Sequence, residues 1–471
     1  MIYKLRPYQE ECVKSISDYI NSDRHDPVLV IGPVGCGKSI LIAEAARLMG
    51  DKTLVLQPSL ELLIQNYCKL TSYGIPATIY SASCGKKELS NMIYATLGSI
   101  KKVVGQLKEM GIRNVLIDEA HAGYSPEDGS EFMTFMNELK PRKVIGFTAT
   151  PCRLKNMSIG QTSYSQLNFI TRMRPVYFKN LIHVIQVEEM IRQGFWTPLK
   201  YETWDFNGDA LKLNSNGSEY TAESISEAGR KNGLNNLILR RLMVLKDVCR
   251  SILVFMDSVE SCNTAAEWMN AKICAGIAEV VHGGTSKKQR EDIVEGFKSG
   301  KTKVVFNYSA LGTGFDHPGL DCVIVGRPTF SFSSFYQWLG RAVRIKDGKD
   351  SALVVDCCNN SSSFGDIRKF SIENYKGYGW GMFIGDKLIT NIPMGDKVTK
   401  TDLDIKAAKK DRRRGLAQGI TASPVPGRPD HPLGSTVMTF GKYCGWMLHS
   451  IPVSYFKFIN ETFDWDNGRR R

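Results

Sequence analysis

Short apolar runs alternate along the chain with longer stretches of helical spacing. Val28–Ile31, Thr53–Gln57 and Asn114–Ile117 are apolar and break abruptly into polar or glycine-rich sequence. Between them Ser59–Leu70 repeats its apolar positions every three to four residues, as a helix does. "ATIYS", "MIYATL" and Lys143–Thr150 add further strand candidates. Apolar runs separated by helices predict strands buried on both faces of a parallel sheet. Such a sheet binds its ligand at the carboxyl ends of the strands. After Pro151 the rhythm weakens, and 152–198 reads as an irregular connecting segment. Alternation resumes near Leu199, with Ser251–Ser258, "AEVVHGG", "KVVFNYSALGTGFD" and "DCVIVGRP" as strands, and ends near Asp356–Asp366. "GWGMFIGDKLITNIP" predicts a hairpin with Gly385–Asp386 at its turn. The expected fold class is α/β. Two parallel-sheet lobes stand in tandem, 1–151 and 199–358, joined by 152–198. A basic hairpin and linker, 359–429, and a small α+β C-terminal domain, 430–471, follow.

Charge changes this picture in one respect. The formal net charge is +13, and the stretch from Asn359 to Arg471 holds 18 Lys and Arg against 11 Asp and Glu. A basic excess is the footprint of a nucleic-acid partner, and it also serves solubility. The start "MIYKLRPYQEECVK" has no apolar core, so no signal peptide is expected. No run approaches the roughly 18 apolar residues of a membrane span, so no membrane partner is expected. The twelve cysteines include no C-x-x-C pair, which predicts reduced thiols and a cytoplasmic setting.

The chemistry begins at "VLVIGPVGCGKSILIAEAARL". Gly32, Gly37, Lys38 and Ser39 fit G-x-x-x-x-G-K-[ST] between a strand and a helix, with Gly35 and Cys36 inside the loop. Glycines let backbone N–H groups converge on phosphate oxygens, and the helix adds its positive end. Lys38 is expected to reach the β- and γ-phosphates of ATP, and the Ser39 hydroxyl to hold Mg²⁺. In "NVLIDEAHAG" the strand Asn114–Ile117 runs into two adjacent carboxylates. Taken alone these fit a solvated strand end. Downstream of the phosphate loop they fit a metal ligand, Asp118, and a residue that orients or deprotonates the attacking water, Glu119. A cation makes the pair of charges tolerable. Cys36, beside Lys38 and a helix start, fits a position that merely tolerates a small side chain, and also a low-pKa thiol whose alkylation would inactivate the protein unless ATP were bound.

"FYQWLGRAVR", Phe335–Arg344, reads as one helix. On it Arg341 and Arg344, three apart, would share a face with Gln337. Two guanidiniums and an amide suit phosphate oxygens, and equally a surface salt-bridge cluster. With no phosphate loop of its own, the second lobe would bring these arginines to the first as catalytic fingers, so that closure depends on ATP.

Read in order, the motifs resemble those of superfamily 2 DNA and RNA helicases from about Tyr3 to Asp356. "LRPYQ" resembles the adenine-reading segment, with Gln9 on the base and Arg6 nearby. "GPVGCGKS", "QPSLELLIQ", "ATLGSI", "DEAH", "TAT", "LVFMDS", "ALGTGFD" and "QWLGRAVR" resemble the family's successive motifs. The resemblance implies two RecA-like lobes and places Gly314 and Asp316 near the nucleotide. It implies sequence-blind contacts to a strand's backbone from Pro58, Ser59, Thr96, Ser258 and Thr313. It makes His121, Thr148 and Thr150 the coupling between the ATP site and that strand. "YKLRPYQEE", "GFTATPCRL", "EMIRQGFWTP" and "LGTGFDHP" are similar to segments of RadD-like DNA-repair ATPases. The chain departs from that family in lacking its cysteine-rich zinc element, and a phage-encoded relative fits as well. Phe440, Gly441, Lys442, Tyr443, Gly445, Pro452 and Tyr455 resemble a small domain of unknown function with the pattern F-G-K-Y-x-G. The function implied is an ATP-dependent DNA helicase or translocase of repair, recombination or replication. It would act on single-stranded, forked or branched DNA, with host or phage repair and replication proteins as partners. An ATP-driven clamp or protein remodeller that does not unwind, and an RNA helicase, stay open beside it.

Overall fold

The computed structural model describes residues 4–159, 162–311, 315–407, 463–464 and 469–470. Two compact units divide the chain, Met1–Asn374 with Trp380–Val398 and Tyr375–Gly379 with Thr399–Arg471. The first unit contains both large sheets.

The first sheet is built from β1 (Val28–Ile31), β2 (Thr53–Leu56), β3 (Thr78–Ser81), β4 (Lys86–Lys87), β5 (Met92–Ala95), β6 (Asn114–Ile117) and β7 (Lys143–Thr148). An antiparallel hairpin, β8 (Cys152–Ile159) and β9 (Thr162–Phe169), intervenes before the chain returns as β10 (Asn180–Val184). The order across the sheet is β10-β1-β7-β6-β2-β5-β3-β4. Every pair is parallel except β3 with β4. The second sheet takes β11 (Leu199–Thr203), β12 (Ile252–Met256), β13 (Ala278–His282), β14 (Val304–Tyr308), β15 (Cys322–Gly326) and β16 (Ala352–Asp356). Its order is β11-β16-β15-β12-β14-β13, parallel throughout. These are two RecA-like α/β lobes.

The apolar runs form strands because both faces are covered. All of β1, β2, β6 and β12 is buried, and each Val, Leu or Ile so placed contributes roughly 1.5–3 kcal/mol. Register then aligns the strand ends. Ile31 of β1 pairs with Thr148 of β7, and Leu56 of β2 with Ile117 of β6. The phosphate loop, "TAT" and "DEAH" therefore emerge side by side at one edge.

The segment 152–198 is not the irregular connector expected. It carries the β8–β9 hairpin, the helix Val187–Arg192, and β10, which pairs with β1 and extends the first sheet beyond 151. The hairpin had no apolar period because its rungs are largely polar, Arg153 with Asn168 and Lys155 with Gln166, and its order comes from the backbone ladder. The hairpin expected at Gly385–Asp386 is present, with Ile384 paired to Lys387 across that turn. The stretch 408–462 lies outside the described residues, and with it the F-G-K-Y-x-G segment. Among the described residues no helix is long and apolar enough to cross a membrane.

Candidate active site

Beyond Ile31 the chain turns through Gly32–Gly37 into the helix Lys38–Met49. The N–H of Gly32 donates to the Thr148 carbonyl at 3.0 Å, so the turn begins in register with β7. Gly35 and Gly37 have φ of 81° and 83°, which only glycine adopts cheaply. Gly37 is the N-cap, and no side chain caps this terminus. The helices that follow Ser59, Ser130, Ser258, Ser286 and Ser331 are each capped by that serine's hydroxyl. An uncapped terminus with its positive dipole end is the arrangement that receives a phosphate.

The helix Pro7–Asn21 holds the loop from behind. Gln9 Nε2 donates to the Cys36 carbonyl at 2.8 Å, and the Tyr8 hydroxyl donates to the same oxygen at 3.1 Å. Gln9 Oε1 accepts the Arg6 N–H at 2.9 Å. Gln9 is 2% exposed and supports the loop instead of lining the cleft, where it was expected to read a base. Arg6 does line the cleft, its guanidinium 4.6 Å from the centre of the Phe195 ring. Cys36 also corrects the expectation. Its thiol is fully buried and turned from the cleft, and burial pushes its pKa up to about 11, against the pull of Lys38.

The charges meet in front of the loop. Lys38 Nζ lies 3.3 Å from Glu119 Oε1. Burial pulls the Lys38 ammonium down, but Glu119, Cys36 and Asp118 together leave it raised. Asp118 is pushed well up, by burial first and by Glu119 second. Its Oδ1 accepts the Glu119 N–H and its Oδ2 accepts Asn66 Nδ2, both at 2.9 Å. Glu119 sits in the left-handed region at φ 45°. Burial raises its carboxyl, yet Lys38 and His121 outweigh that and hold it low. Glu119 Oε2 is buried without a hydrogen bond, 3.4 Å from His121 Nδ1. His121 Nδ1 is 2.7 Å from Thr148 Oγ1 and its Nε2 is 3.4 Å from Thr150 Oγ1. Burial keeps this imidazole neutral, and the three residues expected to act together are in contact. Asp118 and the Ser39 hydroxyl line the same cleft. Among the described residues no three His, Cys, Asp or Glu gather around a metal. Mg²⁺ needs no such cage, since it takes one or two carboxylates and completes its shell with water and phosphate oxygens. A buried carboxylate with a raised pKa fits that demand.

The other wall comes from the second lobe. The helix expected over Phe335–Arg344 stops at Leu339. Gly340 is its C-cap, and the Arg341 and Ala342 N–H groups bond only three residues back. A Cβ on Gly340 would lie 2.5 Å from Val34 of the phosphate loop, so the turn tightens there. Arg341 and Arg344 thus reach the cleft from a turn instead of one helix face, and Gln337 joins them. Arg341 Nη1 donates to the Phe315 carbonyl at 2.6 Å, and Arg344 pairs with Asp316. Burial lowers both guanidiniums to about 10. The segment Phe195–Thr197 ties the walls together. Trp196 Nε1 donates to the Val34 carbonyl at 2.9 Å, while Thr197 Oγ1 donates to the Arg344 carbonyl at 2.8 Å. Sequence reasoning missed Asn66, Phe195 and Trp196; the only available signal was the similarity of "EMIRQGFWTP". The resulting cavity is about 320 Å³ and takes residues from both lobes.

The strand-contact candidates lie elsewhere. Ser59, Thr96 and Ser258 start the helices that follow β2, β5 and β12. Pro58 and Ser59 line a neighbouring cavity of about 800 Å³ that shares Glu119 and Gln337 with the first. Thr96 and Ser258 are not part of it. Thr313 and Gly314 lie outside the described residues.

This fold and this cleft define a two-lobed P-loop ATPase. Residues 2–153 match the family described as type III restriction enzyme, res subunit, and 235–346 the helicase conserved C-terminal domain. The two matches place helicase-type ATPase domains in both lobes of the chain. It is similar to a putative ATP-dependent helicase of Saccharomyces cerevisiae, IRC3, at 23% identity over 76% of this chain and 52% of that one. A 51.5 kDa protein of a Lactococcus phage is 25% identical over 72% of this chain and 67% of its own length. The chain thus spans about half of the yeast relative. Among solved structures, the restriction-modification enzyme LlaBIII bound to DNA superposes with a TM-score of 0.57 at 16% identity, over 92% of this chain and 32% of that one. A fragment of a putative HsdR subunit from Vibrio vulnificus gives 0.56 at 17% identity, over 78% and 67%.

Proposed function

We propose that this chain is a DNA translocase or helicase driven by ATP hydrolysis. The observation that carries the reading is one cleft built from two lobes, with Lys38, Asp118 and Glu119 on one wall and Gln337, Arg341 and Arg344 on the other. Lys38 would bind the β- and γ-phosphates at the uncapped helix start. Asp118 and Ser39 would hold Mg²⁺, which would offset the negative charge of the phosphates. Glu119, kept ionised by Lys38, would orient the attacking water and accept its proton. Arg341 and Arg344 would stabilise charge that develops on the transferred phosphoryl group. Because the arginines belong to the second lobe, cleavage and release of phosphate would remove the ligand the two walls share and leave Trp196 and Thr197 as the tie between them. His121, with Thr148 and Thr150, would pass that change to the strand edge.

DNA as the track is supported by the basic charge and by relatives named for it, among them the DNA 3'-5' translocase XPB2 of Sulfurisphaera tokodaii, 22% identical over 74% of this chain and 81% of its own. A setting in DNA repair rests on the segments similar to RadD-like proteins, and a phage counterpart on the similarity to the Lactococcus phage protein. The test is ATP turnover with and without single-stranded DNA, forked DNA and RNA, followed by strand displacement. Stimulation by DNA supports the proposal, and displacement decides between a helicase and a translocase that only moves or remodels. Stimulation by RNA alone, or no turnover under any condition, overturns it.

A further inference from the structure

Two segments of the second lobe show alternate residues to two cavities. Asp316 and Pro318 line the nucleotide cleft, while His317 and Gly319 line a different cavity of about 370 Å³. Arg344 and Ile345 face the cleft, and Lys346 the second cavity. Ser251, Asp321 and Ser351, which also line it, immediately precede β12, β15 and β16. It therefore opens at the amino ends of these strands, the edge opposite the one where an α/β sheet binds its ligand.

Its walls are basic. Arg250, Lys298, Lys346 and Lys349 surround it, against Asp321 and Asp350. Asp321 is occupied, its two oxygens accepting the Arg250 and Ser251 N–H groups at 2.9 and 3.0 Å. Among the described residues none of the four cations forms an ion pair with a carboxylate. Lys349 Nζ donates instead to the carbonyls of Pro318, Ala342 and Arg344, at 3.2, 2.7 and 2.8 Å. His317, 6% exposed, lies 2.8 Å from Ser251 Oγ and stays neutral, its pKa held near 4 by burial and then by the neighbouring lysines. The cavity thus gathers four cations against two carboxylates, an excess of positive charge with no direct ion pair among the described residues.

We propose that this cavity binds inorganic phosphate. Guanidinium and ammonium donors lining one cavity, from the loop before β12, the end of the helix Lys287–Ser299 and the loop before β16, suit its oxygens. Lys349 grips the carbonyls of Ala342 and Arg344 in the turn that carries the two cleft arginines. An anion that competes for this ammonium shifts that turn, so occupancy alters hydrolysis. Under the function proposed above, phosphate would then feed back on its own production from a site outside the cleft.

The test uses the full chain with its cleft filled by adenylyl-imidodiphosphate and Mg²⁺, at constant ionic strength. Inorganic phosphate is titrated and thermal unfolding followed. The expected result is a saturable rise in Tm of about 2–4 °C, as ligand binding to the folded state requires. It should vanish in R250A/K346A, whose replaced side chains are exposed. An equal rise in the double variant, or none in the parent, overturns the site. If duplex DNA and not phosphate produces the Arg250- and Lys346-dependent shift, the surface belongs to a nucleic-acid path and the proposal fails. The function reading fails separately, if the nucleotide analogue itself leaves Tm unchanged.

Discussion

The turns that follow β1 and β12 start from the same plan and end differently. Each leaves a fully buried strand inside a parallel sheet and enters a long helix, Lys38–Met49 or Val259–Lys272. After β12, Ser258 closes its helix by accepting the Ser261 N–H at 3.0 Å. After β1, Gly37 has nothing to cap with, and a lysine follows immediately. The same α/β architecture therefore yields an anion site in one lobe and a self-satisfied helix in the other. What the second lobe adds to the cleft comes largely from the helix Phe332–Leu339 and the turn after it, on the way from β15 to β16.

Predictions follow that division. Removing the second lobe's contribution should cost most. Arg344→Ala should bind nucleotide nearly normally and lose about 10³-fold in kcat, the scale of an arginine finger. A collapse of affinity with turnover per bound ATP intact would assign Arg344 to binding. Glu119→Gln should lose about 10²- to 10³-fold in kcat while retaining affinity, as expected for lost general-base help. Equilibrium binding beside single-turnover cleavage reads both. Gly37→Ala attacks the open terminus itself. Its Cβ would lie 2.6 Å from Gln9 Nε2 in a left-handed backbone, at a cost of about 1–3 kcal/mol. Nucleotide affinity should fall at least about tenfold, seen in titration with a labelled analogue. Ser258→Ala, in the matching turn, should lower stability by about 1 kcal/mol and leave that affinity unchanged. If both variants weakened nucleotide binding alike, the contrast between the turns would be wrong. The smallest effect concerns Cys36. In the folded protein exposed Cys68 and Cys274 should alkylate at least about tenfold faster, by peptide mass mapping, because burial keeps Cys36 protonated and covered.

The parts written in local spacing were legible. Glycines at fixed offsets, a lysine at the helix start and two carboxylates after an apolar run need only their own segments to be recognised. Contacts between segments far apart in sequence were not. Asn66 reaches Asp118 across 52 positions, and Trp196 reaches Val34 across 162. Asn66 carries no mark of that contact, and the similarity of "EMIRQGFWTP" singles out the neighbourhood of Trp196 without saying what it touches. Cys36 went wrong because nearby charge was visible in the sequence and burial was not, and desolvation was the larger effect. The helix through Arg344 went wrong for a related reason: nothing local announced that Val34 would stand against Gly340.

That last contact has a mechanical meaning. Gly340 is where the second lobe comes up against the phosphate loop, and the absent side chain is the clearance that lets it do so. A methyl group there would act as a shim. Loop and arginines would each keep their own shape, yet the gap between them would be set wider by the thickness of one carbon. The spacing of the two walls is gauged by a single hydrogen atom.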